Sequence, residues 1–299
     1  MKILLTGANG FVGHHVYKYL TSLDYNVEIC IRKYFDSKFD VTDKVWYGSD
    51  LSNSDIVKSL MDKIKPDVII HLAADPNTKT NQHDPYRIID NNVKSTFNLL
   101  QYCNNNIKFI LASTVLVYGN QTGINETVSC NPTSIYGASK LSCEGLLSAF
   151  STLKNIEPVS LRMCATVGPQ MTHGLVKDVI AKLKSDVTEL ELFGDSPGSI
   201  KPFIHVSDVG RAIHFFLKND YTGTYNLCPN DNISVLDIAK EIMAQLEIEK
   251  NIKWMGEQSL WAGDNKIVLC SPNKIWRAGF RPECRTSISA IRRVAWEHK

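Results

Sequence analysis

Eight residues near the start, Thr6-Gly7-Ala8-Asn9-Gly10-Phe11-Val12-Gly13, leave this chain little freedom of architecture. They follow the apolar run Ile3-Leu4-Leu5 and lead into Val12, Val16, Tyr19 and Leu20 at helical spacing, so the glycines fall at a strand-to-helix turn. Gly7 permits a tight turn, Gly10 a close backbone approach to a ligand, and Gly13 close packing of helix on strand. N–H groups at such a helix start point outward, and the helix dipole favours negative charge there. The pattern predicts a dinucleotide held by its pyrophosphate, with Gly7, Asn9, Gly10, Phe11, Val12 and Gly13 as the cradle.

The rest of the first half alternates strand and helix. Val27–Ile31, Pro66–Leu72, Lys108–Ala112 and Val159–Met163 read as buried strands, and Tyr86–Cys103 and Tyr136–Phe150 as helices. This alternation predicts an α/β fold, a Rossmann-type doubly wound parallel sheet whose strand carboxyl ends share one ligand-binding edge. After Thr166 the pattern loosens, and Gly168-Pro169 breaks the chain. A helix through Val176–Leu183, a strand and helix over Pro202–Leu217, and a capping signal at Ser234 and Asp237 point to a smaller α+β C-terminal lobe. The expected division is a dinucleotide domain at 1–167, with 201–228 returning to it, and a substrate lobe at 168–200 and 229–299.

At 299 residues, 43% of them hydrophobic, the chain can build a full core without metal or disulfide staples. Its 33 basic and 31 acidic residues nearly cancel, which gives no pull towards nucleic acid or an anionic membrane. The eight cysteines are scattered, with no metal-ligand spacing, and read as reduced intracellular thiols. No apolar stretch approaches the ~20 residues of a membrane span, so the expectation is a cytoplasmic protein with no metal site.

The end of the second strand bears on cofactor choice. An acid there would bind a ribose 2′-hydroxyl, whereas arginine suits a 2′-phosphate. Ile31-Arg32-Lys33 offers two cations and no acid until Asp36, which favours NADP, with NAD as the alternative. Asp50-Leu51 follows a short strand-like piece and is expected at the adenine. Farther on, Tyr136 and Lys140 stand four apart on one helix face. A lysine cation there is expected to lower the phenol pKa and make proton exchange feasible. Ser113 and Thr114 end a strand, where one hydroxyl would project into the ligand crevice.

Together these residues resemble the extended short-chain dehydrogenase/reductases, in their nucleotide-sugar epimerase/dehydratase/reductase branch. His71-Leu72-Ala73-Ala74, Asn92-Val93 with Thr96, Ser113–Gly119, Arg162…Gly168-Pro169 and Phe203–Val209 are similar to further landmarks. The resemblance implies Tyr136 as general acid/base, Lys140 as its tuner and ribose ligand, and Thr114 as partner of the substrate oxygen. It also implies a cofactor lined by Leu72, Ala73, Ala74, Asn92 and Ser113, substrate contacts at Asp75, Thr114, Val115, Lys201 and Trp261, and a homodimer. Dehydratases of the branch carry Asp-Glu after the matching threonine. Here stand Val115 and Leu116, which cannot transfer protons. Lys201-Pro202 replaces an Arg-Asp pair, and Trp261 replaces a second arginine that grips the substrate diphosphate.

The leading functional reading is an NADPH-dependent reductase of a 4-keto-(deoxy)sugar nucleotide, with Tyr136 as proton donor. A 4-epimerase recycling bound NAD would use the same residues. A non-catalytic dinucleotide sensor on this fold is the third reading, opposed by the retained Tyr136 and Lys140.

Overall fold

The computed structural model describes residues 1–32, 45–77, 84–257 and 266–299. Its strands are β1 (Lys2–Thr6), β2 (Asn26–Ile31), β3 (Val45–Tyr47), β4 (Val68–His71), β5 (Lys108–Thr114), β6 (Glu157–Met163), β7 (Ala165–Val167), β8 (Glu189–Leu192), β9 (Ile200–Lys201), β10 (Phe203–His205), β11 (Gly223–Leu227), β12 (Ile233–Ser234) and β13 (Asn251–Trp254). Its helices are α1 (Phe11–Thr21), α2 (Ser54–Ile64), α3 (Pro85–Ile88), α4 (Ser95–Tyr102), α5 (Ile135–Lys154), α6 (Leu175–Lys184), α7 (Val206–Lys218), α8 (Val235–Leu246), α9 (Asn273–Arg277) and α10 (Ser287–Glu297). Between α3 and α4 the chain makes a π-helical turn, Ile89–Lys94.

Seven of the described strands form one sheet in the order β11-β6-β5-β4-β1-β2-β3. Every pairing within it is parallel. This is the doubly wound sheet that the alternation predicts, with its change of winding direction between β1 and β4. Period-two packing explains both covered faces. Ile3, Leu5, Ile29, Val68, Ile70 and Ile110 face one cluster with Val16 and Leu20 of α1 and Val209, Ile213 and Phe216 of α7. Their neighbours Leu4, Cys30, Ile69, Phe109 and Leu111 face the other, against Val57 and Leu60 of α2, Leu99 and Leu100 of α4, and Leu147 of α5.

A third apolar cluster joins α6, α8 and α10 with β8 and Phe203, and forms the core of the smaller lobe. Val268, Cys270, Ile275 and Phe280, assigned by sequence to that lobe, pack instead with the first sheet face. α9 thus lies beside β11. All eight cysteines are free thiols, seven of them buried. Among the described residues, no helix is long and apolar enough to cross a membrane, and no group of three or more His, Cys, Asp or Glu side chains is placed to hold a metal ion.

Candidate active site

The glycine turn sits where β1 meets α1. Gly7 adopts φ +73°, and a Cβ there would lie 2.7 Å from the Ala73 nitrogen. At Gly13 a Cβ would overlap the Gly7 carbonyl oxygen, so only glycine lets α1 close on the turn. Gly10 caps α1 with no side-chain hydrogen bond, and the first turn carries no acid. Among the described residues, no side-chain cap and no first-turn acid answers its N–H groups and dipole, which suits a pyrophosphate. Phe11 and Val12 turn their side chains into apolar clusters and can offer a ligand only backbone.

Beside this turn opens a cleft of about 430 Å³. Of the sequence-predicted residues, Gly7, Asn9, Gly10, Arg32, Asp50, Leu51, Leu72, Ala73, Ala74 and Asp75 line it. Cys30, Ser49, Ser52, Pro76, Arg87, Asn91 and Ser95 line it too, and the sequence reading missed them. Arg87, Asn91 and Ser95 are spaced by four, a polar stripe across the π-helical turn that no sequence motif marks. Lys33 and Trp261 lie outside the described residues.

A relay of hydrogen bonds builds the cleft floor. Thr6 Oγ1 accepts from the Ala73 N–H at 3.0 Å and lies 2.7 Å from His71 Nδ1. His71 Nε2 reaches Thr96 Oγ1 at 3.1 Å, and that hydroxyl donates to the Asn92 carbonyl at 2.6 Å. Since the Thr96 proton is committed, His71 Nε2–H is the donor there and Nδ1 the acceptor. Burial pushes the His71 pKa down to about 3, reinforced by the nearby Lys140 charge. His71 is thus a neutral structural link.

Asn92 is fully buried. It accepts from the Asp75 N–H at 2.7 Å and donates to the Asp75 carbonyl at 3.1 Å and to Ser139 Oγ at 3.0 Å. Expected as cofactor lining, it acts in this structure as the clamp beneath the Leu72–Asp75 loop.

Thr114 ends β5, its Oγ1 accepting from the Leu116 N–H at 3.2 Å. Ser134 caps α5 by accepting from the Gly137 N–H at 3.1 Å. A Cβ on Gly137 would lie 2.8 Å from the Leu116 carbonyl oxygen, so glycine seats the start of α5 directly on the segment after Thr114. Tyr136 and Lys140 follow on this helix, at the carboxyl ends of β4 and β5. Thr114, Tyr136 and Lys140 stand on the edge that holds the cleft, outside its immediate lining.

The electrostatics differ from the sequence expectation. Part of Tyr136 reaches the surface, yet its phenolic group is enclosed, and burial pushes its pKa up to about 12. The expected lowering by Lys140 does not appear; Lys140 is itself 1% exposed, and burial lowers its own pKa. Desolvation disfavours both charged forms, and the neighbouring Cys143 thiol adds to the rise at Tyr136.

Ser113, expected at the cofactor, donates instead to Glu144. Glu144 forms a buried ion pair with Arg162, whose Nη2 lies 2.6 Å from Oε2. Val115, expected at the substrate, is buried in the first apolar cluster. Lys201, in β9, pairs with Ile233 of β12, away from the cleft lining.

Comparison with known proteins matches residues 3–228 to the NAD dependent epimerase/dehydratase family. UDP-glucose 4-epimerase of Mycoplasma genitalium is 30% identical over 70% of this chain and 71% of its own. dTDP-D-glucose 4,6-dehydratase of Dictyostelium discoideum is 27% identical over 81% of this chain, which spans 61% of that relative. The chain spans 46% of a trifunctional 4,6-dehydratase/3,5-epimerase/reductase of Arabidopsis thaliana at 27% identity. Among solved structures, UDP-glucuronic acid 4-epimerase of Bacillus cereus, in complex with UDP-glucuronic acid and NAD, superposes with a TM-score of 0.85 at 25% identity, covering 100% of this chain and 98% of that one. UDP-glucose 4-epimerase of Thermotoga maritima shares the fold at 21% identity, with a TM-score of 0.88 over 100% of this chain and 99% of that one. With far more than half its length matched, the chain belongs to the NAD-dependent epimerase/dehydratase family, within the extended short-chain dehydrogenase/reductases.

Proposed function

We propose that this chain is an NADP(H)-dependent reductase of a 4-keto-(deoxy)sugar nucleotide, with Tyr136 delivering the proton as hydride reaches C4. One observation carries the cofactor half: Arg32 lies on the cleft wall at the end of β2, where an acid would be needed to hold a ribose 2′-hydroxyl. The glycine turn fits a pyrophosphate, since Gly7 and Gly13 exclude side chains from it and the first turn of α1 has uncapped N–H groups. When bound, NADPH supplies the hydride. Tyr136, kept protonated at neutral pH by burial, suits proton donation to the developing alkoxide. Thr114 would polarise the substrate oxygen, and Lys140 would hold a ribose hydroxyl and steady the phenolate left behind. Buried Val115 and the adjoining Leu116 supply no acid–base pair for water elimination. Asp75, Lys201 and Trp261 are the candidate substrate contacts. A homodimer accords with exposed Tyr86, Phe97 and Leu153 on α3, α4 and α5.

A second reading, an NAD-dependent 4-epimerase, is favoured by solved relatives described as 4-epimerases in complex with NAD. The two part on stoichiometry. A reductase consumes one NADPH per 4-keto nucleotide sugar, followed at 340 nm; an epimerase purifies with NAD and shows no net consumption. In either case Tyr136→Phe is expected to lower turnover about 10²–10⁴-fold with cofactor binding retained. An unaltered phenotype in that variant would return the chain to the sensor reading.

A further inference from the structure

We propose that Asn91 is the positioning residue that sets the enzyme's selectivity for a 2′-phosphorylated cofactor, by aiming Arg32. This rests on the NADP(H) reading above and assigns the selectivity to a pair rather than to one cation. Arg32 Nη1 donates to Asn91 Oδ1 at 2.7 Å, and both residues line the cleft. Arg32 is exposed at the end of β2, so without this contact its long side chain would be free to leave the cleft. One of its five N–H groups is spent on Asn91, which leaves the rest of the planar fork for a phosphate.

The chemistry of the holder matters as much as its position. An amide oxygen fixes the guanidinium without cancelling its charge, whereas a carboxylate would do both. The second arginine of the cleft illustrates this: Arg87, one turn before Asn91, pairs with Asp75 at 3.2 Å and is compensated. Asp50, the other carboxylate of the lining, accepts from the Ser52 N–H and hydroxyl at 3.1 and 2.9 Å. Among the described residues, Arg32 has no carboxylate partner, so it is the cleft cation whose charge remains for a ligand.

Asn91 is itself fixed. Ser95 Oγ donates to its carbonyl, and the next residue is the buried Asn92 that clamps Asp75. The π-helical turn carries Asn91 towards Arg32 while Asn92 points into the core.

The test is calorimetric titration with adenosine 2′,5′-bisphosphate and with 5′-AMP, which differ only in the 2′-phosphate, against wild type, Arg32→Ala, Asn91→Ala, Asn91→Asp and Arg32→Ala/Asn91→Ala. Wild type is expected to prefer the bisphosphate, and Asn91→Ala to lose about tenfold of that preference with 5′-AMP affinity unchanged. Asn91→Asp, nearly isosteric, should lose more, and Asn91→Ala should add nothing in the Arg32→Ala background. If Arg32→Ala abolishes the preference while both Asn91 variants keep the wild-type ratio, the proposal falls and the NADP(H) reading stands. Equal weakening of both probes by Asn91→Ala would mark a merely structural role and also overturn it. A wild type indifferent to the 2′-phosphate would sink the cofactor reading, and the proposal with it.

Discussion

Breaking the Glu144–Arg162 pair should cost far more than replacing it. Both side chains are only 8% exposed. Arg162 Nε lies 3.0 and 3.2 Å from the two carboxylate oxygens, Nη2 adds a bond at 2.6 Å, and the guanidinium carbon stands 4.7 Å from the centre of the Tyr118 ring. Glu144→Leu strands the guanidinium in this dry layer, and Arg162→Met strands the carboxylate. Each is expected to cost about 3–5 kcal/mol, the range for an uncompensated buried charge. The double variant removes both charges and keeps apolar volume, so it should recover most of that loss, apart from the acceptor of Ser113, worth about 1 kcal/mol. Urea denaturation measures all four proteins, with shifts in midpoint at constant m taken as changes in stability. A single variant costing under about 1 kcal/mol, or a double variant losing the sum of the singles, would refute the claim that the pair is desolvated and mutually dependent.

Gly13→Ala should lower stability by about 1–3 kcal/mol and abolish cofactor binding, because its methyl meets the Gly7 carbonyl. Gly145→Ala, in α5 with nothing within 4 Å of the added methyl, should instead stabilise by about 0.5–1 kcal/mol; thermal melts and cofactor titration check both. His71 carries a pH signature. Its folded pKa of about 3 lies below the unfolded value of 6.5, so its contribution is complete above pH 6.5 and is lost as pH falls towards 3. In that window the unfolded chain binds the extra proton, and stability should fall by about 1.4 kcal/mol per pH unit. His71→Gln should remove that increment from the slope measured between pH 6.5 and 5; equal slopes would refute it.

What the sequence displayed was local pattern. The strand–glycine–helix turn, the apolar strands with their two-residue period, and α5 all follow from neighbours within a few positions. What it hid depends on remote partners. Tyr136 and Lys140 are visibly one turn apart, but the direction of the phenol shift is decided by enclosure, which no spacing reports. Ser113 looks available at a strand end until Glu144 arrives from α5. The helix expected over Tyr86–Cys103 shows an apolar stripe at 88, 89, 93, 97 and 100, yet Ile89 and Phe97 are exposed while Asn92, Ser95, Thr96 and Asn98 are buried. Polar side chains occupy the interior there because they tie loops together: Asn98 donates to the Leu51 carbonyl at 2.9 Å, and Asn92 holds Asp75. Residues 268–280 carry no mark of their return to the large sheet, since that packing answers β11 and Ile124, remote in sequence.

The widened turn at Ile89–Lys94 means that chain length, and not only residue identity, encodes this pocket. A surplus amide group is stored there, and deleting any one of those six residues would let the segment relax into ordinary α-helix. Everything upstream would then swing by about 100° relative to α4. Arg87 would leave the wall, and buried Ile88 and Asn92 would leave their places with it, so the lesion would strike binding and stability together. Substitution scans that preserve length would never reveal it.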